Sequence, residues 1–457
     1  MIRHGRTVSR GLRCILLAAV QTSLAGGSAL AQSPVTEAPA TEAPATETPL
    51  ARPPSAALPA GVSAYAATRS QCFARGERQA YNAWLDTQRV ALPDCVRGVI
   101  PPQHTVQSAP VYKPGSNRVV DCASTRANDF GTGYLDVFLA DLVQAMDGPE
   151  AAPACAAAMV KLWADAAAMT EVTGTGRAAR QSAMDRTWTL AGISAAYFTH
   201  PAVQEVAKAA VLPDGRTQDA VILDWFAALA RQVSAEIDVR RDTRPENNLQ
   251  YWSAFSLLPT ALLTGDAALL GQADGVFVRA VKSVTKDDDP LGPGFLPEEL
   301  TRGDKSMNYQ TFAAFPLVGM AVMSRAYGCD MLDKDWKRDR LVSLVARSVA
   351  GREDAQIFVD AVAAREGKPV PQQPRGMSRR AGDLVYLMQR INPAFAARIA
   401  AAAAAELGRP EPILAADSGA EAGFDRLGGA FAALADTAAA LRDLPPPAAL
   451  AQSCTSG

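Results

Sequence analysis

The sequence predicts an all-α fold of stacked antiparallel helical hairpins, a toroid or a solenoid. Three observations carry that reading. Alanine-rich segments with apolar residues at helical spacing recur from residue 132 to 442. Turn signals fall between them, at Gly148-Pro149, Pro201, Pro213-Asp214-Gly215, Gly265, Gly292-Pro293-Gly294, Gly328 and Pro410. Strand-like alternation is almost absent. Helices of this length joined by short loops must run antiparallel to their neighbours. No repeat of fixed period is visible, which disfavours a regular repeat array.

In chain order, residues 1–31 read as a secretory signal. Arg3, Arg6, Arg10 and Arg13 form a basic region, Cys14–Val20 is an apolar core, and Ala29-Leu30-Ala31 is a cleavage site. The mature protein is expected to begin at Gln32, in the periplasm or outside the cell. Residues 32–61 repeat Thr-Glu-Ala-Pro-Ala and related Pro-rich runs, too poor in apolar side chains for a core, and read as a linker. A short helix is expected near 77–88, followed by Pro-rich loops holding Cys95. Helices follow near 132–147, 151–169, 178–198, 202–211, 217–238, 247–263, 266–283, 305–327, 335–349, 353–365, 378–391, 393–406 and 421–442. One domain over 62–446 and a polar tail over 447–457 complete the chain. Asp287-Asp288-Asp289 lacks the alternate spacing, turn glycine and closing glutamate of a calcium loop, and reads as solvated.

Composition narrows the chemistry. A formal net charge of −2 gives no global pull toward polyanions, so an anionic ligand needs a locally basic cleft and nucleic acid is not expected. Nothing after the signal is apolar for long enough to span a bilayer. Hydrophobic residues at 48% suffice for one large core, and a monomer is the expected state. Beyond the signal stand Cys72, Cys95, Cys122, Cys155, Cys329 and Cys454, an even number that suggests disulfides. None has zinc spacing, and with three histidines in all, one of them in the signal, a histidine cluster is nearly excluded. No metal and no cofactor is expected.

Two stretches concentrate functional side chains. Gly294–Pro316 reads GFLPEELTRGDKSMNYQTFAAFP and holds Arg302 and Lys305 close to a lone phenol, Tyr309, flanked by Asn308 and Gln310. A helix capped near Asp304 puts Lys305 and Tyr309 on one face. A cation beside a phenol favours the phenolate. A free tyrosine, with pKa near ~10, is ionised to only about 0.1% at neutral pH, and a cation about 4–6 Å away lowers that pKa by roughly 1–3 units. Residues 244–255 read RPENNLQYWSAF, with Pro245 suited to a first helical position and Asn248, Tyr251, Trp252 and Phe255 on one stripe. Such a stripe is usually core, yet amides beside aromatic faces also suit a sugar.

Together these stretches resemble the alginate lyases of polysaccharide lyase family 5. Three motifs carry the resemblance, in the family's order: Trp188, Leu190, Ala196 and Tyr197; then Asn247-Asn248-Leu249-Gln250-Tyr251-Trp252; then Gly294–Leu300 with Arg302 and Tyr309. It covers roughly residues 110–410. The resemblance implies an incomplete α/α toroid with Tyr309 as the catalytic tyrosine. Arg302 and Asn248 are then the groups that offset the substrate carboxylate. Ser124-Thr125-Arg126 stands against a family Ser-Ser-Lys-Tyr, which makes Arg126 the counterpart of a cleft lysine. Trp188, Trp252, Lys305 and Gln310 are expected to bind and orient the polymer. Two family histidines are replaced, by Leu249 and Gln310.

The implied reaction is β-elimination on a 4-linked uronate polysaccharide. The proton on C5 is poorly acidic until the neighbouring carboxylate is neutralised. A base then removes it and an acid protonates the departing O4; one tyrosine can do both when they lie on one face of the ring. Mannuronate follows from the family, and the missing histidines point to glucuronate in an exopolysaccharide as the leading other substrate. A non-catalytic exopolysaccharide-binding or assembly protein is the alternative, favoured by Leu249. A glycoside hydrolase needs two opposed carboxylates, for which Glu246, Glu298, Glu299 and Asp304 are available.

Overall fold

The computed structural model describes residues 83–408, except 117–118, 148–151, 242–244, 327, 373–377 and 379–380, together with Ala80. The signal, the linker, the expected helix over 421–442 and the tail lie outside the described residues. Every described residue belongs to one compact unit.

The chain enters through loops and a short parallel pair of strands, β1 (Thr105–Val106) and β2 (Glu171–Val172), and is otherwise helical. In order come α1 (Cys122–Asp147), α2 (Pro153–Asp165), α3 (Arg177–Thr199), α4 (Pro201–Ala209), α5 (Gln218–Arg241), α6 (Asn248–Thr264) and α7 (Ala267–Ser283). After the short helix α8 (Pro297–Leu300) and a 3-10 turn at Gly303–Lys305 come α9 (Ser306–Ala326), α10 (Asp335–Glu353), α11 (Gln356–Glu366), α12 (Ala381–Ile391) and α13 (Pro393–Leu407). Neighbours in sequence pack in space, as α6 with α7 and α12 with α13, which makes the fold an all-α stack of hairpins. No helix among the described residues is long and apolar enough to cross a membrane.

Helix α6 is the axis of this arrangement, touching α3, α5, α7 and α9. Its sequence is apolar around almost its whole circumference, and Tyr251, Trp252, Phe255, Leu257, Leu258 and Leu262 are all at most 1% exposed. Its start is fixed by a capping box: the Asn247 side chain accepts from the Leu249 N–H, and the Gln250 side chain accepts from the Asn247 N–H. Helix α3 is buried from Gln181 to Thr199 although many of its residues are polar. Thr187, Thr189, Ser194 and Thr199 return their hydroxyls to carbonyls four residues back. The two terminal nitrogens of Arg186 donate to Gln232 and Glu236 of α5. A polar helix can be buried when each hydroxyl brings its own acceptor.

Helix α1 starts at Cys122, ten residues before the predicted 132. Asp121 caps it, accepting from both the backbone and the hydroxyl of Ser124. These bonds hold its carboxyl below the usual range. The first turns, CASTRANDFG, carry no apolar period, so periodicity alone misses them. A disulfide joins Cys95 in the entry loops to Cys155 in α2, and Cys122 and Cys329 are also disulfide-bonded.

Candidate active site

The site is assembled at the start of α6 by the segment between α7 and α9. Gly294 has φ of +85°, and a Cβ there would stand 2.3 Å from the Ser343 carbonyl oxygen of α10. Only glycine fits both the backbone and the approach. Around it the segment is pinned on three sides. Thr285 exchanges hydrogen bonds with Gly294 and Phe295. Arg347, itself gripped by both oxygens of Glu406, donates to the Pro293 carbonyl and lies over the Phe295 ring. Gln310 of α9 accepts from the Leu296 N–H at 3.1 Å and donates to the Gly294 carbonyl at 2.8 Å. Gln310 is wholly buried, which corrects its expected role: it ties a loop to a helix and does not face a polymer.

The pinned segment delivers Glu299 beneath the start of α6. Glu299 is wholly buried and accepts two hydrogen bonds from one residue, the backbone N–H of Asn248 at 2.7 Å and its Nδ2 at 2.8 Å. A carboxylate at a helix N-terminus meets free N–H groups and the positive end of the dipole. Burial nevertheless outweighs these bonds and the nearby Arg302, and pushes its carboxyl up to about 7. Asn248 is itself 0% exposed. This corrects a second expectation, because the amide contacts Glu299 from within the protein and offers no surface to a substrate carboxylate.

Above this floor four side chains converge. The Arg302 guanidinium lies 4.0 Å from Glu299 and 4.5 Å from the centroid of the Tyr309 ring. Lys305, 5% exposed, places its ammonium 4.5 Å from the centroid of the Tyr112 ring. Burial holds this lysine below its usual range, with Asp304 opposing the shift and Arg302 adding to it. The hydroxyls of Tyr112 and Tyr309 are hydrogen-bonded to each other. Tyr309, Arg302 and Tyr112 are half-buried, so the cluster is open to solvent on one side.

Tyr112 is the residue that sequence reading misses. It stands 197 residues before its partner, in a loop whose signals are the turn residues Pro110, Pro114 and Gly115. Arg177, at the first position of α3, anchors this loop by donating to the carbonyls of Tyr112, Lys113 and Ser116.

The expected aromatic subsites are corrected as well. Phe312, one turn beyond Tyr309, joins Trp188, Trp252 and Tyr309 in one cluster, with ring centroids 5.9, 5.2 and 6.2 Å away. Trp252 is 1% exposed and Trp188 7%, so these indoles pack behind Tyr309 and present no open face to a sugar ring. The apolar stripe of α6 is core. Leu249 is half-buried against that core. Arg126 lies in the first turns of α1, and its side chain is outside the described residues.

A half-buried phenol with a second phenol on its oxygen and a guanidinium on its ring can take up and return a proton beside an anionic group. The family model for alginate lyases matches residues 112–358, the stretch from Tyr112 through Asn248, Arg302 and Tyr309. A polysaccharide lyase of Stenotrophomonas maltophilia (strain K279a) is 28% identical over 271 residues, which are 56% of this chain and 73% of that protein. An alginate lyase of Pseudomonas syringae pv. syringae is 31% identical over 215 residues, 45% of this chain and 50% of that protein. The chain thus spans about half the length of that Pseudomonas relative. The solved alginate lyase A1-III from Sphingomonas species A1 aligns with a TM-score of 0.47 at 16% identity, over 67% of this chain and 82% of that one. With more than half of its length matched by the family model, the chain belongs to the alginate lyase family.

Proposed function

We propose that this protein is a polysaccharide lyase that cleaves a 4-linked uronate polymer by β-elimination at Tyr309. The observation that carries the reading is the hydrogen bond between the Tyr309 and Tyr112 hydroxyls, with Arg302 over the Tyr309 ring, inside the family-matched region. Arg302 offsets the substrate carboxylate, which makes the C5 proton removable. Tyr309 enters as the phenolate; its oxygen takes that proton, the C–H electrons form the C4=C5 double bond, and the C4–O4 bond breaks. The same tyrosine then returns the proton to O4, so the enzyme ends unchanged. Tyr112 donates to the Tyr309 oxygen and stabilises the negative charge it carries before it takes the C5 proton and after it gives that proton to O4. Asn248 acts from below, through Glu299.

Hydrolysis finds less support. Glu246 pairs with Arg279 at 2.8 Å, Glu298 lies 3.6 Å from Arg365, and Glu299 is buried. Two opposed carboxylates facing a cleft are what that reaction requires. The basic and apolar leader with the Cys95–Cys155 disulfide favours an exported protein. Leu249 and Gln310, in place of ring nitrogens, favour a uronate other than mannuronate, with glucuronate in an exopolysaccharide first.

The mature protein is incubated with polymannuronate, polyguluronate, polyglucuronate and a glucuronate-bearing exopolysaccharide while ultraviolet absorbance is followed. An absorbing product carrying the unsaturated sugar is expected from at least one polymer. Shortened chains without that absorbance would select hydrolysis. Binding without any product would select a polysaccharide-binding protein on this scaffold.

A further inference from the structure

Glu299 is a carboxyl wholly enclosed by protein, reached by two N–H donors of Asn248 and by the guanidinium of Arg302 at 4.0 Å. Nothing in the packing calls for a charge here. A leucine pair would fill the same space without burying an ion, and buried ionic groups replaced by apolar ones often leave a protein as stable or more so. Asn248 adds to the anomaly. Its Nδ2 is spent on Glu299, while its Oδ1 is buried with no hydrogen-bond partner among the described residues. An amide kept at the expense of an orphaned oxygen points to the one contact it does make.

That contact leads outward in a single line. Asn248 holds Glu299, Glu299 attracts Arg302, and Arg302 lies over the ring of Tyr309. An arginine in a half-buried turn has several rotamers, and a fixed anion below it selects the one that lies across the ring. Resting on the lyase reading above, we infer that Glu299 is a positioning residue, with Asn248 as its anchor, which aims the Arg302 guanidinium at the place where the substrate carboxylate must sit.

The charged and titratable groups around Glu299 are few. Arg302 and Glu298 share its own segment, and Tyr251 approaches from α6, with Glu246 of the preceding loop near Tyr251. Only ionised Glu299 attracts Arg302, so activity rises with pH as Glu299 loses its proton, which gives the acidic limb of the profile.

Glu299→Gln keeps the shape and removes the charge. The expected result is a fall of roughly tenfold to a hundredfold in kcat/KM, loss of the acidic limb, and urea stability at pH 8 equal to or above wild type. Asn248→Leu removes one donor to the carboxylate and is expected to move the acidic limb to higher pH. Activity falling in step with stability, or a limb unchanged in both variants, overturns the inference. A crystal structure of Glu299→Gln gives a reading that needs no turnover: Arg302 displaced from the Tyr309 ring supports the assignment, and Arg302 unmoved overturns it. If the wild type yields no unsaturated uronate from any polymer, the lyase reading fails while that crystal structure still decides the role of Glu299.

Discussion

At Tyr309 three neighbours meet one phenol, and each acts on a different part of it. Arg302 covers the ring, Phe312 packs edge-on behind it, and Tyr112 holds the oxygen. Replacing Tyr112 by Phe leaves the packing and removes one hydrogen bond to an oxygen that must be negatively charged to take up the proton. Such a bond is worth about 1.5–3 kcal/mol, so kcat should fall roughly tenfold to a hundredfold with KM little changed, as steady-state kinetics on the preferred polymer would read. Arg302 and Tyr309 were legible in the sequence because only seven residues, about two helical turns, separate them. Tyr112 was not, because no local pattern reports a partner across the fold. Gln310 and Trp252 show the opposite failure. Their types suit a sugar, but type does not say which side of a helix faces the interior, and both are enclosed.

Among the elements, the segment between α7 and α9 is the one that cannot vary. Gly294→Ala places a Cβ against the Ser343 carbonyl oxygen and forces alanine to a positive φ. A loss of about 2–4 kcal/mol in urea-unfolding free energy is expected, with reduced activity because Glu299 and Arg302 ride on the same segment. The start of α6 is more tolerant. Asn247→Ala breaks the capping box and should cost about 1 kcal/mol, measured in the same way. Helix positions were readable because burial repeats at helical spacing and because glycine and proline mark the joints, as at Gly265 and Pro201. The early start of α1 was not, because a polar first turn has only its Asp121 cap to announce it. The burial of α3 was equally hidden, because its hydroxyls satisfy themselves within the helix.

For the whole molecule, two stability measurements follow. The Cys95–Cys155 bridge spans 60 residues and fastens the entry loops, from which the chain runs on to Tyr112, to the helical stack. Replacing both cysteines by serine should lower the unfolding free energy by about 2–4 kcal/mol in an oxidising buffer, read by denaturant titration. The second concerns pH. Burial raises the Glu299 carboxyl from its ordinary value of 4.5 to about 7 in the folded protein, so between those values the folded protein holds a proton that the unfolded chain has released. This group therefore favours folding most at the acidic side of that window, and the contribution is lost as pH rises through 7. Glu299→Gln should remove that slope from a plot of unfolding free energy against pH.

On the lyase reading the phenol of residue 309 performs the elimination. The most direct measurement of that step is the rate of unsaturated-uronate formation by Tyr309→Phe, alongside the affinity of the same variant for the same oligouronate. The expected result is a rate at least ~1000-fold below wild type, with the dissociation constant within a few fold, because only the group that moves the proton has been removed. A Tyr309→Phe protein that makes unsaturated product at the wild-type rate would contradict the account.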